Sequence, residues 1–203
     1  MFSIIIPTIN EEENISKTLS ILYEIFKNIF FEIIIVDDKS SDNTVLEANK
    51  FKNKSGLNIK ILINKRQKGL GNALLKGYNL IKYKFVMFLD ADLSIKKTDI
   101  LRLYKSRKDN SIVVGSRYLK ESNIIGASKI KIIISKFLNK FISIIFKIPI
   151  IDISHSFRII SKNINLKSIN PTHPGFFWET TFNAIIHGFK VEEIPITFID
   201  RRF

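Results

Sequence analysis

The chain alternates short, wholly apolar runs with stretches in which apolar residues return every three or four positions. Phe2 to Ile6 is the first run and stops at Pro7. Pro7 to Asn10 reads as a turn, and the EEEN that follows opens a helix with acids in its first turn, where the helix dipole favours them. Ile15, Leu19, Leu22, Ile25 and Phe26 then recur at helical spacing. Phe31 to Val36 is the second run, followed by a helix capped at Ser41 or Asp42 and reaching about Phe51. Leu57 to Ile63 predicts a third strand, Asn72 to Ile81 a helix, and Phe85 to Leu89 a fourth strand. Lys97 to Lys108 predicts a further helix and Ile112 to Gly115 a strand. Runs this apolar suit strands covered on both faces, although one as short as Phe85–Leu89 also fits a buried helical segment. Strands alternating with helices mean βαβ units, hence an α/β fold with a mainly parallel central sheet. No repeat, low-complexity tract or linker interrupts the pattern, so one domain over residues 1–203 is expected.

The ends of the runs carry the chemistry. Asp37 and Asp38 close the second strand, and Asp90 and Asp92 close the fourth. In open α/β folds ligands bind beyond the carboxyl ends of the strands. An Asp-x-Asp placed there presents hard oxygens to Mg²⁺ or Mn²⁺, which bridge to a diphosphate; the competing reading is a polar turn or a helix N-cap. A basic loop, Lys65 to Gly71, contains Arg66 and Lys68 and lies between the two acid pairs in sequence. Acids for a metal and cations for phosphate are what a nucleotide-diphosphate ligand requires. A dinucleotide fingerprint is absent, because Gly69 and Gly71 have no third glycine, and no Gly-Lys-Ser or Gly-Lys-Thr forms a P-loop.

Composition narrows this further. With 45% hydrophobic residues the 203-residue chain supports a core, and without cysteine it has neither a disulfide framework nor a thiolate metal site. Met1 leads directly into a strand-like run, so no secretory signal is expected. The net charge of +13 favours anionic surfaces in general. No nucleic-acid motif accompanies it, so nucleic acid is not an expected partner. Ile124 to Pro149 concentrates lysine on an apolar background. Each charge at a bilayer centre costs about 2.5–3.5 kcal/mol, which argues against a transmembrane span. At about 100° per residue, Lys129, Lys136, Lys140 and Lys147 fall within roughly 20° of one line, and most of the remaining circumference is Ile, Leu and Phe. Such a helix suits a membrane interface, with ammonium groups at lipid phosphates; the alternative is a core-packing helix with a solvated stripe.

Seven segments occur in order: PTINEEEN (7–14), IIIVDDKSSDNT (33–44), RQKGLGNALLKG (66–77), FLDADLS (88–94), VVGSRY (113–118), SFRIISK (156–162) and VEEIPITFIDR (191–201). Together they resemble family 2 glycosyltransferases, above all dolichol-phosphate mannose synthases and the bacterial polyprenyl-phosphate glycosyltransferases. The resemblance implies a GT-A fold, a nucleotide-sugar donor and a divalent cation, Mg²⁺ or Mn²⁺. It places Pro7, Glu11 and Asp38 around the nucleoside, with Asp38 at the base. Asp90 and Asp92 match the metal motif, and Ser94 stands where a further ligand is often supplied. Arg117 and Arg158 match arginines that hold donor and acceptor phosphates, and Lys136 is a candidate contact for the acceptor phosphate. Glu179 lies where transferases with hydroxyl acceptors keep a catalytic carboxylate; here it is expected to orient the acceptor or cap its helix. The implied reaction is inverting transfer of mannose or glucose from GDP-mannose or a UDP-sugar to a polyprenyl or dolichyl phosphate.

Three departures qualify that expectation. Ser154-His155 stands before SFR where the family usually has Thr-Gly, so a side chain replaces a glycine near the phosphates. The sequence ends at Phe203, just after IDR, where relatives continue into a closing segment; reduced activity or a partner is the expectation. No transmembrane helix follows, which implies peripheral attachment at the cytoplasmic face of a membrane or a membrane-embedded partner subunit. Two other readings stay open: a saccharide or protein acceptor with Glu179 as base, and a non-catalytic, membrane-associated GT-A module.

Overall fold

The computed structural model describes residues 1–65, 69–92, 94–172 and 175–200, with the side chain of Lys167 left aside. The chain divides into two compact units, Met1–Leu93 with Leu166–Pro174, and Ser94–Asn165 with Gly175–Phe203.

The first unit alternates strand and helix: β1 (Phe2–Thr8), α1 (Glu12–Phe26), β2 (Phe31–Asp37), α2 (Thr44–Ser55), β3 (Ile59–Ile63), α3 (Leu70–Tyr78) and β4 (Phe85–Phe88). All pairings are parallel: β1 lies between β2 and β4, and β3 is added outside β2. Ile4, Ile5 and Ile6 of β1 and Ile33 to Val36 of β2 are buried, as strands with both faces covered must be. Each such side chain contributes about 1.5–3 kcal/mol on burial. The Phe85 run is therefore strand rather than helix. At the amino edge Phe2, Phe26 and Phe31 pack ring on ring, with Phe2 and Phe26 edge-on at 4.9 Å. Buried Glu32 sits near them, accepting from Ser3 Oγ (2.7 Å) and Lys82 N–H (2.7 Å) and paired with Lys60 (3.0 Å).

Several boundaries differ from the expectation. β1 does not stop at Pro7 but runs through it to Thr8, opposite Val36 and Asp37. Leu89 N–H donates to Ile5 O and Asp38 N–H to Thr8 O, so Ile5 and Pro7 face β4 while Thr8 faces β2. The β1–β4 ladder covers only Ser3–Ile5, and the N–H that proline lacks falls where no strand awaits it. The second helix begins one residue after Asn43, with Asp42 Oδ1 accepting from Thr44 N–H (3.0 Å). It extends to Ser55 because Gly56, at φ 67°, supplies the left-handed stop.

The second unit contains α4 (Lys97–Lys105), β5 (Ser111–Ser116), β6 (Asn123–Ile125), α5 (Lys129–Ile145), β7 (Arg158–Ser161), α6 (Phe176–Ile186), β8 (Lys190–Pro195) and β9 (Thr197–Ile199). β5 pairs parallel with β8 and antiparallel with β7, and β6 pairs with β9 in a separate two-stranded ladder. Asp99, buried in α4, accepts from Thr197 N–H (2.7 Å) and fixes where β9 begins. Gly115 of β5 is required by space. A Cβ there would lie 2.5 Å from the Phe157 ring and 3.0 Å from Ile196 Cγ2. Gly115→Ala should therefore lower stability by about 1–3 kcal/mol, measured by urea denaturation, because the ring has to leave its rotamer.

Candidate functional site

The carboxyl ends of the parallel strands open into a cleft of about 280 Å³, lined by Pro7, Glu11, Asp38, Asp90 and Asp92 together with Thr8, Ile9, Ala91, Leu70 and Ala73. Five of the residues singled out from the sequence thus share one surface. The reason is topological: Pro7 and Thr8 end β1, Asp38 follows β2, and Asp90 to Asp92 follow β4.

The two acids at the end of β2 do different work. Asp37 is buried and accepts from Thr8 Oγ1 (3.1 Å), Ser40 N–H (2.9 Å) and Ser40 Oγ, so it shapes the turn. Asp38 accepts from Asn64 Nδ2 (2.7 Å) and Gly69 N–H (2.6 Å) and faces the cleft. Each of its oxygens keeps a lone pair for a ligand. Glu11 is held by Asn14 Nδ2 (2.9 Å) on Oε2, and its N–H donates to Thr44 Oγ1 (2.7 Å). The helix starts interlock beside it: Glu12 N–H donates to Asp42 (3.1 Å) and Asn43 N–H to Glu12 (2.9 Å).

Asp90 and Asp92 flank Ala91, whose carbonyl accepts the hydroxyl of buried Thr18 on α1. Thr18 thereby ties the acidic turn to a helix, a role the sequence reading did not assign. Its signal was a hydroxyl on a helix face otherwise made of Ile15, Leu19 and Leu22. Among the described residues no group of three His, Cys, Asp or Glu side chains gathers as a metal cage. Two hard carboxylates suit Mg²⁺ or Mn²⁺, which take remaining ligands from phosphate and water. Arg66 and Lys68 lie outside the described residues. Ser94 begins the second unit, buried, with its carbonyl accepting from Ile199 N–H (2.8 Å).

In the second unit Arg117 is clamped by Asp152. Nε and Nη2 donate to the two carboxylate oxygens at 2.8 Å each, and the Arg117 N–H adds a third bond at 2.9 Å. Burial opposes charge on both partners. Their mutual bonds and attraction outweigh it, holding Arg117 above its ordinary value and Asp152 below the usual carboxylate range. Glu193 of β8 in turn accepts from Ile151 and Asp152 N–H (3.1 and 3.2 Å). Nη1 of Arg117 makes no hydrogen bond with a described residue, and the arginine lines an open groove of about 640 Å³ with Lys136, Tyr118 and Ser122.

Arg158 departs from its expected role. It is fully buried, and its five N–H groups go to Ile153 O, His155 O twice, Phe177 O and Thr181 Oγ1. No donor is left for a phosphate, and burial pushes the guanidinium down to about 9 despite the attraction of Asp152. Arg158 holds the 153–155 loop against α6. His155 likewise turns inward: Nδ1 meets Gly115 O at 2.8 Å and the ring packs edge-on against Phe157 and Phe198. Glu179, in the first turn of α6, has one buried oxygen, Oε2, without a hydrogen-bond partner among the described residues.

α5 is built inside out. Its inward side carries buried Asn139 and Ser143, and Asn139 accepts from Ser154 N–H (3.1 Å). Ile130, Ile133, Phe137, Phe141 and Ile144, each more than half exposed, form the outward face. At about 100° per residue, the exposed Lys129, Lys136 and Lys140 lie between that face and the Asn139–Ser143 side. Lys147 does not continue the line, because the helix ends at Ile145 and Lys147 turns left-handed at φ 50°. Among the described residues no helix is long and apolar enough to cross a membrane.

Two outcomes follow from these contacts. Burial holds His155 down to about 4, against 6.5 when unfolded, so the unfolded chain binds a proton that the folded one refuses as pH falls between those values. Stability should drop by about 3 kcal/mol over that window in urea titrations, and His155→Gln should remove that component. Thr18→Val should cost about 1 kcal/mol and speed amide hydrogen exchange in the 90–92 turn, with the sheet amides unchanged.

The pattern of glycosyl transferase family 2 matches residues 3–167. A dolichol-phosphate mannosyltransferase of Pyrococcus furiosus is 32% identical over 123 residues, which is 60% of this chain and 34% of that protein. A polyprenol monophosphomannose synthase of Mycolicibacterium smegmatis is 27% identical over 98% of this chain and 77% of its own length. The chain thus spans well under two thirds of the first relative and most of the second. Among solved structures, a mannosyltransferase from Pyrobaculum calidifontis, in complex with GDP-Man and Mn²⁺, superposes with a TM-score of 0.71 at 16% identity, covering 99% of this chain and 57% of that one. Glucosyl-3-phosphoglycerate synthase of Mycobacterium tuberculosis, with Mn²⁺, UDP and phosphoglyceric acid, gives 0.66 at 13% identity, covering 98% and 69%. These structural likenesses establish the GT-A fold, and the family match establishes that the chain belongs to glycosyl transferase family 2.

Proposed function

We propose that the whole chain is one catalytic domain that transfers mannose or glucose from a nucleotide-diphosphate sugar, GDP-mannose or a UDP-sugar, to a polyprenyl or dolichyl phosphate with inversion. The observation that carries this reading is the convergence of Pro7, Glu11, Asp38, Asp90 and Asp92 on one cleft at the carboxyl edge of parallel strands. The names of the relatives above support a lipid-phosphate acceptor.

Asp90 and Asp92 hold Mg²⁺ or Mn²⁺ in this reading, with Ser94 as a proposed further ligand. The cation, when bound, offsets the charge that builds on the departing nucleoside diphosphate. Asp38 and Glu11 receive the nucleoside, and Arg66 and Lys68 are proposed for the diphosphate. Arg117, oriented by Asp152, turns Nη1 to a phosphate, and Lys136 on the same groove meets the acceptor. Arg158 acts as a positioning residue through the loop it holds. The acceptor needs no general base: a phosphate monoester, with a second pKa near 6, is largely dianionic at neutral pH. Its oxygen forms the bond to the anomeric carbon as the bond to the diphosphate breaks, and the electron pair leaves with the nucleotide. Attachment is peripheral, at the cytoplasmic face of the membrane, through the exposed face of α5, with a membrane-embedded subunit as a further proposed partner.

The unpartnered Oε2 of Glu179 supports a second reading, in which it takes a proton from a saccharide or protein hydroxyl. One assay separates the two. Transfer of labelled sugar to polyprenyl phosphate in detergent should disappear with EDTA and fall at least about a thousandfold in Asp92→Ala. Glu179→Gln should change that rate by less than about threefold; a loss of 10²–10⁴-fold would assign Glu179 as base.

A further inference from the structure

We propose that the carboxyl end of α5 carries a headgroup site for an anionic phospholipid, formed by Lys140 and Lys147 and separate from the groove of Arg117 and Lys136. The proposal rests on the membrane-surface part of the function proposed above and deepens it.

Past its last turn α5 borders an open groove of about 290 Å³, lined by Ile144, Ile148, Ile150 and Ile151 together with Ser143, Pro149, Lys140 and Lys147. Both lysines are exposed, and neither forms an ion pair or hydrogen bond with a described residue. From Ser122 to Ile151 the sequence has five lysines and no acid. A largely apolar trough lined by two lysines that pair with no described residue complements a phosphate diester with acyl chains. It does not complement an acidic peptide, which would have to desolvate its backbone against isoleucine.

The backbone adds a second observation. Ser143 O accepts from Ile148 N–H (2.8 Å) and Ile144 O from Lys147 N–H (3.2 Å), a Schellman-type end whose left-handed position usually holds glycine. Here Lys147 occupies it at φ 50°, a conformation that disfavours a Cβ. A strained lysine where glycine fits better is accounted for if its ammonium has a ligand. The two full charges exceed the roughly half charge of the helix's carbonyl end, so an anion is attracted there. Ile144 belongs both to the exposed face of α5 and to the lining of this groove, so a bound headgroup seats the helix flat in the interface.

The full chain would be sedimented with vesicles of phosphatidylcholine alone and of phosphatidylcholine with phosphatidylglycerol, without nucleotide sugar. Lys129→Gln removes one charge from the same flank at the far end of the helix and measures the diffuse field, about fivefold in affinity. Lys140→Gln and Lys147→Gly should each cost about twentyfold on the anionic vesicles, as the loss of a charge-assisted hydrogen bond does. Lys147→Gly should also raise Tm by about 2 °C, so its lost binding cannot be ascribed to misfolding. Losses no larger than that of Lys129→Gln overturn the headgroup site while leaving the membrane reading intact. Failure of the unmodified chain to bind either vesicle, or a lipid-free dimer closed through α5, overturns both. Displacement of the chain from vesicles by millimolar glycerol phosphate would assign the lysines to a free phosphate and overturn the lipid site.

Discussion

In a parallel pair every strand leaves the sheet at the same edge, so register decides which residues meet. In the first unit Phe2 stands opposite Phe31 and Thr8 opposite Asp37, while Ile5 stands opposite Phe88. That alignment gathers the aromatic packing at the amino edge and the acids at the carboxyl edge. Shifting one strand by a single residue would turn its isoleucines off their faces and carry Asp38 or Asp90 out of the cleft. The buried strands thus stabilise the fold and position the acids through the same ladder bonds.

Around that edge, polar groups spend their hydrogen bonds on shape. Asp37 forms a turn, Thr18 holds the Ala91 carbonyl, and the starts of α1 and α2 exchange bonds between their acids and amides. The second unit uses the same economy with full charges. Asp152 orients Arg117, Glu193 and Asn139 hold the neighbouring main chain, and Arg158 gives all five donors to the protein itself. Asp152 is buried and Arg117 only partly so, so loss of the arginine would leave the buried carboxylate without its compensating charge. The value of the pair lies in fixing a guanidinium at one orientation.

α5 reverses the usual pattern of a surface helix. Its polar Asn139 and Ser143 make directional bonds inward while isoleucine and phenylalanine face out. A helix that packs through a few hydrogen bonds and leaves its apolar arc open is suited to a second apolar phase, and the flanking lysines suit the charged boundary of that phase.

The sequence by itself determined the alternation of strands and helices, the parallel character of the sheet and the acids at its carboxyl edge. Period and apolar content suffice for these, because a strand buried on both faces has few other compositions. The seven ordered segments likewise made the family legible. Tertiary structure decided what local pattern does not encode. Pro7 continues a strand because its missing N–H faces the side where the β4 ladder has ended. Arg158 is a brace because four acceptors, one of them used twice, converge on it from the 153–155 loop and α6. Asp152, unremarkable in sequence, became the partner of Arg117 across 35 residues. Lys147 left the helical line because Ile145 ended the helix before it. In each case the deciding neighbour is distant in sequence or the local backbone turns against its periodicity, and a one-dimensional pattern records neither.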